Sequence, residues 1–261
     1  VSSLYGTTRP VSHRYCIFLE VKAQEKTEKP VMSDETKEYY CKTNLDLYDR
    51  PNCQSLATQA AAGRHLRLLP TTRCDLAVKV YLCEDGYTAW LPIAKLTELN
   101  LAKTIYCPIS LSRSEIERRL PEIIAFTKTA MARPNYYLWG GTVGPNYDCS
   151  GLIQAAFAAS GVWLPRDSYQ QAAFTKKIDK NELEAADLIF FAKRKRVDHV
   201  ALYLGDGYYI HSSGKEIGRN GIGIDGLTAE ENPISQAYYQ QLWGFGRVIS
   251  SYQPKSIELL G

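Results

Sequence analysis

Three residues in this chain have the types and spacing for nucleophilic catalysis. Cys149, in Asp148-Cys149-Ser150-Gly151, follows a glycine-rich stretch and opens a segment of helical periodicity. A thiol at a helix start meets unpaired N–H groups and the positive end of the dipole, so the position predicts a lowered pKa. The same N–H groups can stabilise an oxyanion. Two of the four histidines, His199 and His211, fall on the arms of one predicted hairpin, HVALYL and YYIHS, joined by Gly205-Asp206-Gly207. Such positions lie close in an antiparallel pair and can share a face. One imidazole can then take the thiol proton while the second group orients it. Taken singly, each has a blander reading, as a small apolar residue or a satisfied strand residue; it is the combination that points to chemistry. Cys149, Asp198, His199 and His211 are also competent zinc ligands, but no C-x-x-C or H-x-x-x-H pair occurs. Neither a metal nor a cofactor is expected.

These residues need elements to hold them. Cys149–Ser160 carries apolar Leu152, Ile153, Ala156 and Phe157 on one face and stops at Gly161, which predicts a helix. After Asn181 the period changes to two, with strands at Asp187–Phe191, His199–Leu204, Tyr208–Ser212 and Trp243–Ser251. Upstream, Ser114-Glu115-Ile116-Glu117 reads as a capping box before a helix that Pro121 kinks or delays. This half is therefore α+β, helices first and then an antiparallel sheet. Between about Tyr39 and Leu96 short alternating runs (KTNLDLY, GRHLRLL, LAVKVYLC, TAWLPI) are separated by turns, the pattern of a small β-barrel.

Composition sets outer bounds. With 261 residues, 45% hydrophobic and 23% charged, the chain is an ordinary globular protein of one large or two small domains. A net charge of +3 is too mild to argue for nucleic acid. The run Lys193-Arg194-Lys195-Arg196 reads as a solvated hairpin tip, and Gly218–Gly223 (GRNGIG) as a turn. No apolar run approaches the ~18 residues of a membrane span, so no membrane partner is expected. Of seven cysteines, six precede residue 110. Their scatter favours free thiols, with Cys74 and Cys83 the first pair to check. Residues 1–34 read as an extension, with no signal-peptide pattern, so a cytoplasmic place is expected before a periplasmic one.

The motifs YLWGG (137–141), DCSGL (148–152), LPRDS (164–168), DHV (198–200) and HSS (211–213) occur in the order and spacing of the NlpC-type cysteine peptidases, which the chain resembles over about residues 114–252. The region 35–100 resembles the bacterial Src-homology-3-like domain that accompanies them, with 101–113 as linker and 253–261 as tail. The pair is similar to γ-D-glutamyl-diamino-acid endopeptidases of cyanobacteria. The resemblance implies a papain-like α+β domain behind the small barrel. It implies Cys149 as nucleophile, His199 as base, His211 as orienting residue and Tyr137 as oxyanion donor. It further implies that Tyr87, Asp148 and Ser168 grip the free L-Ala amine of a murein peptide substrate, L-Ala-γ-D-Glu-diaminopimelate. Trp139 and Arg166 read as structural. A catalytically inactive wall-fragment binder and a related thiol amidase or acyltransferase stay open as alternatives, and the oligomeric state is undetermined.

Overall fold

The computed structural model describes residues 37–254. The expected extension over 1–34, and all but two residues of the expected tail, lie outside the described residues.

The first half is built from β1 (Glu38–Cys41), β2 (Leu45–Tyr48), β3 (Leu56–Ala60), β4 (His65–Arg73), β5 (Ala77–Leu82), β6 (Thr88–Pro92) and β7 (Leu99–Leu101). They form one seven-stranded antiparallel sheet in the order β3-β2-β6-β5-β4-β1-β7. Alternation explains the core: Leu45 and Leu47, Val78, Val80 and Leu82, and Ala89 and Leu91 each point one way and pack together. The strand-rich unit is as expected. Barrel closure is not seen, because the end strands β3 and β7 share no ladder among the described residues. The four alternating runs became β2, β4, β5 and β6. The additional strands β1, β3 and β7 are only three to five residues long, too short to carry a period.

The second half begins with α1 (Arg113–Glu117) and α2 (Leu120–Met131). The capping box is formed by Ser112 with Glu115, two residues ahead of the predicted one. Pro121 sits in the first turn of α2, where its missing N–H costs nothing, so the chain makes two helices instead of one kinked helix. Then come α3 (Cys149–Ala159), α4 (Ser168–Phe174), β8 (Lys176–Ile178), β9 (Leu188–Phe191), β10 (His199–Gly205), β11 (Tyr208–Ser213), β12 (Gly221–Gly226), α5 (Pro233–Tyr239) and β13 (Leu242–Arg247). The sheet is antiparallel, in the order β12-β11-β10-β9-β13-β8. Period-two alternation divides it. Val200, Leu202 and Ile210 pack on Leu152, Ile153 and Phe157 of α3, while Ala201 and Tyr209 face the other way, onto Phe191, Tyr238 and Phe245.

The two halves meet through buried polar contacts. Arg166 donates from Nε to Thr58 Oγ1 at 2.9 Å, and Gln154 donates to Asp85 at 2.9 Å. Gln59 accepts from the backbone N–H groups of Thr142 and Val143, both at 3.1 Å. Gly140, at φ +79°, lies against Leu56, which a Cβ there would meet at 2.8 Å. The segment before α3 is just as close. A Cβ on Gly151 would stand 1.9 Å from the Gly141 carbonyl oxygen, so α3 can dock only with glycine there. Gly151→Ala should lower stability by about 1–3 kcal/mol, seen as a lower urea midpoint; an unchanged midpoint would contradict this close approach.

Candidate active site

Asp148 caps α3. It is extended, and its Oδ1 accepts the Gly151 N–H at 2.6 Å. Cys149 is therefore the first helical residue, 6% exposed, and its sulfur meets the backbone N–H groups of Ser150 and Val200. Val200 adjoins His199, so the docking of α3 on β10 sets the thiol against the strand that carries the imidazole.

Sheet register sets the histidines. Leu202 faces Ile210; one step further along the antiparallel pair sets Ala201 against His211, two residues on from His199. Such a diagonal is within reach of imidazole rings. His199 Nε2 and His211 Nδ1 are 2.7 Å apart. The same diagonal step recurs on the next strand. His211 faces Gly223, and Asp225, two residues further, places Oδ2 2.8 Å from His211 Nε2. All three side chains are buried. Arg219 Nη2 donates to both Asp225 oxygens at 2.7 Å. Its guanidinium lies where a Cβ on Gly223 would be, with Nη1 1.9 Å from that position. Tyr238 completes the setting: its ring stacks on His199 with centroids 4.5 Å apart, and its hydroxyl is 2.7 Å from Ser213 Oγ.

This chain of contacts fixes where the protons are. Burial would raise the Asp225 pKa, but His211 and Arg219 outweigh it and hold the carboxyl below its usual range. Burial also lowers His211, more than Asp225 raises it, so His211 is neutral. An ionised carboxylate only accepts, so the single proton of His211 must sit on Nε2. Its Nδ1 is then an acceptor and takes the Nε2 proton of His199. That leaves His199 Nδ1 as a free base. Both nitrogens of His211 are occupied, which leaves it no lone pair for a metal.

The expected lowering of the Cys149 pKa is not found. Burial, reinforced by the neighbouring Asp148 carboxylate, pushes the thiol up to about 12, against the favourable N–H groups of Val200 and Ser150. Burial, helped by His211, pulls His199 well below its usual value. Burial therefore favours the thiol and the neutral imidazole, because the helix start does not repay the loss of water around a sulfur anion.

A cavity of about 340 Å³ opens onto Cys149, and its lining includes Tyr87, Tyr137, Asp148, Ser168 and Asp167. The structure thus gathers every upstream residue expected at the site. Tyr137 is close enough to Cys149 and Asp148 that their charges add to the burial raising its pKa. Its phenol stays protonated and can donate. Tyr87 comes from the first domain, so that domain forms part of the cleft wall. Asp148 has partners within the protein. Its Oδ2 accepts from Gly140 N–H at 2.9 Å and Arg166 Nη2 at 2.6 Å. Its Oδ1 accepts from Gly151 N–H, Ser150 Oγ and Arg166 Nη1. These donors engage both carboxylate oxygens, and Asp148 also lines the cavity. Arg166 is the fully buried tie expected of it. Trp139 is not a core aromatic; it is 72% exposed and lines the cavity. Cys74 and Cys83 are both free thiols. Sequence reasoning missed Asp225, Arg219 and Tyr238. The signal was there as alternation in GIGID (221–225), but its glycines read as a turn.

A buried thiol at a helix start, served by a histidine whose proton is set by a second histidine, is the constellation of a cysteine peptidase. Residues 134–247 match the NlpC/P60 family, and residues 47–96 match the bacterial dipeptidyl-peptidase Sh3 domain. A γ-D-glutamyl-L-lysine dipeptidyl-peptidase of Bacillus cereus is 31% identical over 169 residues, covering 64% of this chain and 46% of that one. A probable endopeptidase p60 of Listeria seeligeri is 38% identical over 112 residues, 43% of this chain and 19% of that one. The γ-D-glutamyl-L-lysine dipeptidyl-peptidase of Bacillus subtilis is 42% identical over 86 residues, 31% and 29%. The chain spans less than half the length of each of these relatives. Residues 134–247 are thus similar to an NlpC/P60 domain, preceded by a region similar to a bacterial SH3-type domain.

Two outcomes follow from the proton positions. Asp225→Asn would turn an amide N–H toward His211 and reverse both tautomers. We expect kcat to fall about 10²- to 10⁴-fold with KM little changed; equal losses through KM would mean a merely structural part. Alkylation at Cys149, followed by peptide mass spectrometry in the free protein, should climb through the alkaline range. A plateau below neutral pH that His199→Ala abolishes would show a preformed ion pair instead.

Proposed function

We propose that the protein is a cysteine endopeptidase that hydrolyses the γ-D-glutamyl–diamino acid bond of peptidoglycan-derived peptides with a free N-terminal L-Ala. The observation that carries this reading is the pairing, in one cavity, of the relay-served Cys149 with a part-buried acid, Asp167, beside the Tyr87 and Ser168 hydroxyls. Burial raises the Asp167 pKa against the lowering by Arg166, so a cation docking there would relieve a destabilised charge. The Asp167 charge also adds to the burial that lifts Tyr87 to about 12, and both groups line the same cavity. With both Asp148 oxygens engaged, Asp167 is the acid assigned to the substrate amine, and Tyr87 and Ser168 keep their expected part.

In the reaction, Cys149 gives its proton to His199 Nδ1 as the sulfur bonds to the γ-carbonyl carbon. The carbonyl oxygen takes up negative charge and is met by the Tyr137 hydroxyl and N–H groups at the start of α3. The C–N bond then breaks. The diamino acid's amine leaves with the proton from His199, and a thioester remains on Cys149. Water gives a proton to His199 as its oxygen bonds to the thioester carbon, and the thiolate departs and recovers that proton. L-Ala-γ-D-Glu is released.

A subsite that needs a free amine selects peptides already detached from glycan, since in the intact wall that amine is acylated. This fits a role in recycling of wall peptides. The names of two relatives include L-lysine, so the diamino acid is tested as both meso-diaminopimelate, the form expected here, and L-lysine. We expect cleavage of L-Ala-γ-D-Glu-meso-diaminopimelate, and a loss on the order of 10⁴-fold when its amine is acetylated. Cys149→Ala should abolish turnover. Asp167→Asn should erase much of the discrimination against the acetylated peptide. Equal cleavage of free and acetylated forms by the wild type would remove the ammonium subsite; cleavage of neither diamino-acid substrate would remove the proposed reaction.

A further inference from the structure

The charges on the cavity wall do not all cancel within the protein. Its two guanidinium groups are Arg166 and Arg196. Arg166 is used up by Asp148, Ser150 and Thr58. Arg196 is not. Among the described residues it makes no hydrogen bond and no ion pair, and its recorded contact is with the Tyr169 ring, 4.4 Å from guanidinium carbon to centroid. It is the last residue of the basic run, three residues before His199. The loop between β9 and β10 therefore turns one member of that run into the cleft.

Tyr169 gives this placement its meaning. It begins α4 beside Ser168, and its hydroxyl lies at the Asp167 carboxylate, while its ring carries Arg196. The Tyr169 side chain thus touches both an acid and a guanidinium, and among the described residues no ion pair joins Asp167 to Arg196, whose charge still acts to lower the Asp167 carboxyl. A guanidinium stacked on an aromatic face loses rotational freedom but keeps its N–H edge, whose fork matches a carboxylate. Arg196 thus lines the same cavity wall as Asp167, Cys149, Asp49 and Asp198.

We infer that Arg196 is a specificity residue that receives a substrate carboxylate next to the scissile bond. The inference rests on the reaction proposed above, and the chemistry of that substrate supplies the ligand. A glutamyl unit joined through its γ-carboxyl keeps a free α-carboxylate, and the diamino acid on the other side of the scissile nitrogen has its own. A substrate with an ammonium at one end and a carboxylate beside the cleaved bond suits a cavity wall that carries both an acid and a guanidinium unpaired among the described residues.

The test compares wild type with Arg196→Gln on three peptides. They are L-Ala-γ-D-Glu-meso-diaminopimelate, the same peptide with the glutamyl α-carboxylate amidated, and the same peptide with the diamino acid's α-carboxylate amidated. Wild type should lose about 10- to 100-fold in kcat/KM on one of the amidated peptides; which one identifies the carboxylate. Arg196→Gln should lose a similar factor on the parent peptide and treat that acid and its amide alike. Arg196→Lys should recover part of the difference. Arg196 is exposed, so the Cys149 alkylation rate should be the same in wild type and variant. If wild type cleaves the parent and the acid-to-amide ratio is the same in both proteins, Arg196 has no such part while the proposed reaction stands. If wild type shows no preference for either acid, the inference fails in the same way. If wild type cleaves no γ-D-glutamyl peptide, the reaction falls, and this inference with it.

Discussion

The Asp225 carboxylate, buried and gripped by Arg219, decides the state of atoms two rings away. A carboxylate that can only accept must receive the His211 Nε2 proton, and each later proton position follows from that one. A charge in this position is costly to bury, and two partners offset the cost: a guanidinium reaching both oxygens and the neutral imidazole itself. Gly223 is part of the same solution, because the guanidinium lies where its side chain would be. The relay is thus one diagonal across β10, β11 and β12, in which every contact depends on the antiparallel register. A slip of one residue on any strand would turn its member to the face packed on α3.

A second buried ion pair plays a different part. Arg166 binds Asp148, the cap of the nucleophile's helix, and also the first domain through Thr58 and the Ala57 carbonyl. Breaking such a pair typically costs more than making it gains. Its value lies in position: one guanidinium holds the start of α3 against the domain that contributes Tyr87 and Asp49 to the cleft wall. The geometry around Cys149 is therefore a property of both domains together. Under the proposed reading Asp148 serves as tether, and the acid next to Arg166 in sequence, Asp167, takes the substrate amine.

What the sequence made legible follows from how local each signal is. Cys149 at a helix start and two histidines on one hairpin depend on short spacing, and the structure has them where that spacing predicted. Asp225 was hidden because β12 is glycine-rich, and strand propensity fails where glycine is kept for a neighbour's side chain instead of its own conformation. Strands β1, β3 and β7 were too short to show a period. The capping box was misplaced by two residues because Ser112 and Ser114 both precede a glutamate three positions on. The thiol's pKa was misjudged for another reason. The helix start is visible in sequence, whereas the burial that outweighs it is a property of the assembled core.

That burial changes how the site must work. In open water a helix-start thiol would gain from its N–H partners; here desolvation raises Cys149 and depresses His199 together, so neither charge is held at rest. Under the proposed reaction, the proton passes as the sulfur's new charge is taken up by the carbonyl it attacks and handed on to the oxyanion donors. The cavity is lined on one side by Asp49, Leu56, Ala57 and Tyr87 of the first domain, and those residues bear on what a substrate can present there. Under the proposed reading, the ammonium neutralises the destabilised acid beside them, and this binding energy positions the γ-carbonyl over a thiol that stays uncharged without it. The first domain would then contribute to rate as well as to recognition, because the amine it helps to hold brings the electrophile to the one place where the proton transfer is favourable.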